Sequence, residues 1–499
     1  MTGLLRRIIL VALSLTLQMP SAFAEEGRVG AEVNPWMIIP FVLLLMAVAV
    51  VPFINRHWWE RHYAYVALGL GLVTVLYYAF GLQNTSRLLH TGAEYISFIA
   101  LIGSLFVVAG GIHIRIRGKS KPLSNVFLLS IGAVLANLVG TTGASMILIR
   151  PFIRVNKYRI KPYHIVFFIF IVSNMGGALT PIGDPPLFLG YLKGIPFFWV
   201  AETIWYKWAL AMVAIIAIFY VIDCIDYQRL SAAVRHSLEG EHEEGEASGV
   251  QNIFFLAVIL IAVFVTSPPF LREVLMILAA AGSYLATKHE IHKKNDFNFV
   301  PIKEVAILFL GIFATMIPAL DWLAANASLL SIESAGQFYW VTGILSAFLD
   351  NAPTYLNFLS AAIGLFVGPE TIKQILNLVE THGADLIQIA GPHAEEFKNT
   401  LAVLMKYHFD DMAAGTLRHD YVSTAYLIGN HAKHIQAISL GAVFFGACTY
   451  IGNGPNFMVK SIAEQSGVHC PSFFGYVVKY SLPILVPIFT AIWLLFFMG

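Results

Sequence analysis

Apolar runs long enough to span a bilayer alternate with short polar stretches along almost the whole chain. Trp36 to Ile54 is apolar, Arg56 to His62 is basic, Ala64 to Leu82 is apolar again, and Tyr95 to Ile114 ends in the cluster Arg115, Arg117, Lys119 and Lys121. Helices of about 20 residues match the hydrocarbon thickness, and basic loops belong on the cytoplasmic side, so the third helix is predicted to end in the cytoplasm. The next run, Leu123 to Ile149, begins after that cluster and ends in another: Arg150, Arg154, Lys157, Arg159 and Lys161. Both ends then lie on one side, and Gly140-Thr141-Thr142-Gly143 at its middle is a poor helix interior. The pattern predicts a re-entrant hairpin over residues 123–150, since irregular backbone survives at membrane depth only where protein or a water-filled cavity covers it. Thr180-Pro-Ile-Gly-Asp-Pro-Pro186 interrupts the following run. This gives a broken helix over 163–192, before Phe197 to Ile222 returns to the cytoplasm.

Asp223 to Ser248 is polar and acidic, and residues 223–250 read as a solvated cytoplasmic linker. The second half, 251–499, repeats the plan with Ile253 to Thr266, Leu271 to Ala286, the basic loop Lys288 to Lys294 and Val305 to Leu320. Asp321 to Ser334 should be outside. A second hairpin is expected over 338–367 with Asp350-Asn-Ala-Pro-Thr354 at its middle, entered from the outside. An external segment over 368–430 without positive bias, a second broken helix over 435–460 and the run Phe473 to Met498 complete the chain. At the N-terminus, Arg6 and Arg7, the apolar run Ile8 to Met19 and Ala22-Phe-Ala24 read as a cleavable signal peptide, 1–24. The first repeat is then 25–222.

Composition agrees with a bilayer environment. With 58% hydrophobic and 12% charged residues in 499 positions, the chain cannot dress a water-facing surface of its size. A net charge of +1 excludes an electrostatic nucleic-acid binder. Three widely spaced cysteines exclude a disulfide framework, and the lack of a phosphate-cradling glycine motif disfavours an ATP-driven pump. No arrangement for nucleophilic catalysis surrounds Ser145 or Ser173, so the chain reads as a carrier and not an enzyme, with no cofactor. His431-Ala-Lys-His434 and Asp410-Asp411 read as solvated groups rather than transition-metal ligands.

The two breaks are related. Gly177-Ala-Leu-Thr-Pro-Ile-Gly-Asp-Pro-Pro-Leu-Phe188 laid over Gly446-Ala-Cys-Thr-Tyr-Ile-Gly-Asn-Gly-Pro-Asn-Phe457 is identical at seven of twelve positions. Each break follows its own hairpin, and the halves start from opposite sides, so the reading is an inverted-topology repeat with a site at the midplane. Hard cations want oxygen ligands. The first half offers Asn137, Thr141, Thr142 and Ser145 with Thr180, Gly183 and Asp184; the second offers Asp350, Asn351 and Thr354 with Thr449, Gly452, Asn453 and Asn456. A mid-membrane carboxylate costs about 2.5–3.5 kcal/mol on insertion scales and is seldom there without a task. Proton and sodium would compete for it, with Asp350 the first candidate and Asp184 the second. Asp184 has the rival role of capping the half-helix after it. No Lys or Arg stands at either tip, which tilts the reading toward cation exchange.

Gly177 to Asp184 and Ala447-Cys-Thr-Tyr-Ile-Gly-Asn-Gly-Pro-Asn456, each after a hairpin, resemble the ion transporter superfamily. That group includes NhaD-type sodium/proton antiporters, arsenite permeases, citrate carriers and sodium-coupled dicarboxylate carriers. The resemblance implies an all-α, elevator-type carrier of the inner membrane, usually a homodimer. In the dicarboxylate branch the tips carry Ser-Asn-Thr; here Asp350-Asn351-Ala352 matches only the Asn, and Gly140-Thr141-Thr142 only the Thr. Thr-Pro-Ile-Gly-Asp is similar to the antiporter branch. The expectation is sodium/proton exchange through Asp184 and Asp350, with coupled transport of citrate or another small organic anion as the alternative.

Overall fold

The computed structural model describes residues 33–115, 120–230, 246–265, 268–382 and 393–498. The predicted signal peptide and the most acidic part of the predicted linker lie outside these residues. Among the described residues, seven helices are long and apolar enough to cross a membrane. A short antiparallel strand pair, His113–Arg115 with Glu246–Ser248, is an addition to the expected all-helical plan. The chain is therefore an α-helical multi-pass membrane protein. Its outward apolar faces fit that environment: Leu123, Phe127, Val134 and Leu138 recur at helical spacing and are exposed.

The chain forms two compact units, and each takes a segment from both halves of the sequence. The first unit comprises residues up to 115 and 245–319. Its helices Thr85–Gly110 and Val300–Asn326 meet through stacked Phe98 and Phe309, 4.8 Å apart, and through the Tyr95 hydroxyl donating to the Ala306 carbonyl at 2.9 Å. Asn252 ties helix ends together there, donating to the Gly111 carbonyl at 2.8 Å and accepting from the Ser283 hydroxyl at 2.6 Å.

The second unit, 116–244 and 320–499, holds both predicted hairpins and both breaks. Pro122–Val155 is helical except at Gly140, where φ is 78° and ψ 155°, a conformation that glycine adopts without the Cβ clash other residues meet. The chain folds back there. A Cβ on Gly132 would stand 3.1 Å from Leu148 Cδ1, whereas sixteen residues of straight helix would separate the two by about 24 Å. Likewise Ala335–Phe348 and Asn351–Phe366 turn at Leu349 and Asp350, bringing Phe338 and Phe358 to 6.3 Å. The breaks separate Pro162–Ile171 from Pro185–Leu192 and Ala432–Phe445 from Gly454–Gln465.

Several boundaries differ from expectation, each for a local reason. The basic stretch Arg56 to His62 is the start of helix Arg56–Leu76, because the Asn55 side chain caps it by accepting from the Trp58 amide at 3.0 Å. Helix Val300–Asn326 runs through Asp321, which was expected beyond it. The start of the predicted linker is also helical. Trp199–Gln228 includes Asp223 and Asp226, because Asp223 is buried against Arg159 and Asp226 pairs with Lys161. The described residues of the segment 368–430 are largely helical, with Pro369–His382, Ala394–Tyr407 and His419–Asn430. There the Tyr426 hydroxyl, 2.7 Å from Glu396, holds that carboxyl below its usual range, with His393 assisting. His431 stacks on Phe366 at 4.0 Å and His434 Nε2 meets the Glu333 carbonyl at 2.8 Å, so both rings are engaged in packing and backbone contacts.

Candidate ion-binding site

The two breaks are built alike. In the first, Thr180 Oγ1 accepts from the Gly183 amide at 3.0 Å and donates to the Asn137 carbonyl of the first hairpin at 2.6 Å. In the second, Thr449 Oγ1 accepts from the Gly452 amide at 3.1 Å and donates to the Ala347 carbonyl of the second hairpin. Each break also closes on itself through two glycines. A Cβ on Gly177 would lie 2.7 Å from the Gly183 carbonyl oxygen, and one on Gly452 would lie 2.6 Å from the Gly446 oxygen. No side chain fits such an approach. Gly452→Ala should therefore lower thermal stability by about 1–3 kcal/mol, while Gly454→Ala, which meets nothing within 4 Å, should cost much less; melting curves in detergent check the pair.

Asn137 fastens the first hairpin to its break. It donates to the Gly176 carbonyl at 2.6 Å and accepts from the Leu179 amide at 2.9 Å. Asn456 does comparable work in the second half, donating to the Gly446 and Thr449 carbonyls at 2.9 Å each. Thr142 stays at the edge, half-buried, and Thr354 donates to the Asp350 carbonyl at 2.9 Å inside its own first helical turn.

Where these pieces meet stands Asp184, with no solvent exposure. Its Oδ1 accepts from Thr141 Oγ1 at 2.9 Å and Asn453 Nδ2 at 2.9 Å, and its Oδ2 accepts from Asn351 Nδ2 at 2.6 Å. The donors come from the first hairpin, the second break and the second hairpin. The Thr141 amide also donates to the Gly183 carbonyl at 2.8 Å, fixing the hairpin tip beside the carboxylate.

The structure separates the two candidate carboxylates. Both occupy the residue before a helix, but the Asp184 side chain caps nothing: Pro185 and Pro186 have no N–H to offer, and the Leu187 amide donates to the Asp184 backbone carbonyl at 3.1 Å. Asp350 does cap: its carboxylate accepts from the Ala352 amide at 3.0 Å and remains half-exposed. Donors from both halves thus converge on Asp184, while Asp350 stands at a helix start. Asn can replace Asp as a cap, so Asp350→Asn should leave the melting temperature unchanged. Melting curves in detergent check it.

Two oxygens beside this centre are unsatisfied. Oδ1 of Asn351 and Oδ1 of Asn174 are buried with no hydrogen-bond partner among the described residues. Asn174 uses its amide to donate to the Ile169 carbonyl at 2.9 Å and to Asn456 Oδ1 at 2.6 Å. A Cβ on Gly446 would lie 3.2 Å from the Gly452 oxygen, 3.3 Å from Asn174 Oδ1 and 3.4 Å from Asn351 Nδ2. The bare glycine therefore lets the Gly452 carbonyl oxygen, Asn174 Oδ1 and Asn351 Nδ2 draw close around it. The sequence reading missed Asn174 and weighed its neighbour Ser173 only as a nucleophile; the Ser173 hydroxyl meets that of Ser145 at 2.8 Å. A polar pair inside the apolar run just before a break was the available signal.

Over residues 30–497 the chain matches the family described as "Putative citrate transport". The chain belongs to this family. No curated protein matches it. Membership makes the chain a secondary transporter within the wider ion transporter superfamily, and the site can be read in those terms. A carrier of carboxylates would be expected to offer fixed positive charge or free amides at its centre. Among the described residues no Lys, Arg or His pairs with Asp184, whose three partners are all neutral. Prolines also open both second half-helices, at Pro185, Pro186 and Pro455, and remove amides that would otherwise face an anion.

Proposed function

We propose that the protein exchanges sodium for protons, with Asp184 as the ligand the two ions share. The observation that carries this reading is a fully buried carboxylate ringed by neutral donors, beside unpartnered amide oxygens. A carboxylate removed from water is stabilised by whatever neutralises it, and one carboxylate cannot hold a proton and a cation at full strength together. Loading is then a balanced step: the protonated acid and Na+ give the carboxylate with bound Na+ and release H+. Asn351 suits both states. With its amide toward Asp184 it serves the carboxylate, and a half-turn of its side chain would present the unpartnered Oδ1 as acceptor for the protonated acid.

The matching hydrogen bonds at Thr180 and Thr449, and the gathering of both hairpins and both breaks in one unit, support an inverted repeat with re-entrant hairpins. The further reading as an elevator-type carrier, working in the inner membrane as a homodimer, rests on the resemblance to the ion transporter superfamily. The second reading, sodium- or proton-coupled citrate transport, is favoured by the description of the family. Vesicles carrying the protein with a preset pH gradient distinguish the two. Sodium should collapse the gradient and citrate alone should not; flux of labelled citrate driven by sodium or protons, without sodium-driven proton movement, would establish the second reading instead.

A further inference from the structure

The second arm of the first hairpin is buried on every side but one. Thr142, Met146, Arg150 and Arg154 are half-buried, and every residue between them is buried. A spacing of four puts them in one row on the helix surface. The row changes character along its length: Thr142 lies at the turn, Met146 is apolar, and Arg150 and Arg154 stand where the apolar run ends, the level at which a span meets lipid headgroups. At the base below them Lys157 and Tyr158 are exposed, with the ammonium 4.6 Å from the ring centre.

Arg154 Nη1 is buried and has no hydrogen-bond partner among the described residues. The acids that close the base of this hairpin, Asp223 and Asp226, already pair with Arg159 and Lys161. A guanidinium nitrogen left without an acceptor is costly, and the planar fork that carries it matches a phosphate group. Two such forks one turn apart, about 6 Å along the helix, can hold one phosphate from two sides. We propose that this row holds an anionic phospholipid from the leaflet that faces the basic loops, with its phosphate on Arg150 and Arg154 and an acyl chain along Met146. The order of polarity selects this occupant. A soluble anion has no use for Met146, and a zwitterionic lipid would bring its own positive charge against the arginines and Lys157. The inference does not depend on which ions the protein carries.

Delipidated protein in detergent tests this, with retention of added phosphatidylglycerol read by native mass spectrometry and its effect on melting temperature read alongside. The wild-type protein should retain phosphatidylglycerol and melt higher with it than with phosphatidylcholine of the same chains. Arg154→Gln should weaken retention about five-fold, and Arg150→Gln with Arg154→Gln about thirty-fold. Arg154→Lys keeps the charge and loses the fork; its retention should fall below that of the wild type, which covers the case in which the neutral variants fail to fold. Lys293→Gln, at an exposed position of the second basic loop, should change nothing. Equal retention by Arg154→Gln and the wild type, or an equal fall in Lys293→Gln, overturns the proposal. So does an equal rise in melting temperature with inorganic phosphate alone, which would make the row a site for a soluble anion.

Discussion

Replacing Asp184 with Asn is expected to abolish sodium-driven proton movement while leaving the protein folded. The substitution keeps size and shape. The new amide group would face the Asn351 amide, but Asn351 carries an unpartnered Oδ1 that can turn to accept from it. The contacts of Thr141 and Asn453 to Oδ1 can remain as they are. Only the charge is lost. A unit charge about 4 Å from a cation is worth about 4 kcal/mol at the effective dielectric of a protein site, which corresponds to roughly a thousand-fold in sodium affinity. The expected result is a variant with the wild-type elution profile and melting temperature, but with sodium affinity out of the working range.

The second large effect lies at the base of the first hairpin and concerns stability. Arg159 and Asp223 form an ion pair with neither side chain exposed. The Tyr163 hydroxyl donates to the same carboxylate at 2.7 Å and Asn125 Nδ2 at 3.0 Å, while Arg159 Nε also donates to Ser120. Four segments meet there: the first arm of the hairpin, the turn after its second arm, the start of the broken helix and the end of Trp199–Gln228. Removing one partner of such a pair leaves a buried charge without compensation, at a cost of about 3–5 kcal/mol. Arg159→Ala and Asp223→Ala should each melt far below the wild type. The paired replacement Arg159→Met with Asp223→Leu should recover a substantial part of the loss, because no lone charge remains. Thermal unfolding followed by size-exclusion elution tests this; equal losses in the single and paired variants would assign the effect to packing instead of charge.

These two sites show how much the sequence disclosed. The hairpins and breaks were legible because Gly140, Pro181, Pro185, Pro353 and Pro455 interrupt apolar runs that would otherwise be plain spans. Thr141, Asn351 and Asn453 stood out for the same reason. The choice between Asp184 and Asp350 was harder, since both precede a helix. The discriminating signal was the Pro185-Pro186 pair, which takes away the first amides of the helix and so releases Asp184 from capping. Asn174 was overshadowed because the polar pair Ser173-Asn174 sits inside an apolar run, just ahead of the more conspicuous Gly- and Pro-rich break. The Arg159–Asp223 pair was hidden by distance, 64 positions in the chain, and by the general rule that arginines flanking spans mark sidedness. That rule gives the side on which Arg159 lies and says nothing about whether it is buried.

The most direct test of the central claim needs no membrane gradient. Sodium is added to the purified protein in weakly buffered detergent solution, and release of protons is followed with a pH-sensitive dye alongside sodium binding by calorimetry. If sodium and a proton share Asp184, protons leave as sodium binds to the wild-type protein, and Asp184→Asn shows neither event. Sodium binding without proton release in the wild type, or proton release that persists in Asp184→Asn, would contradict it.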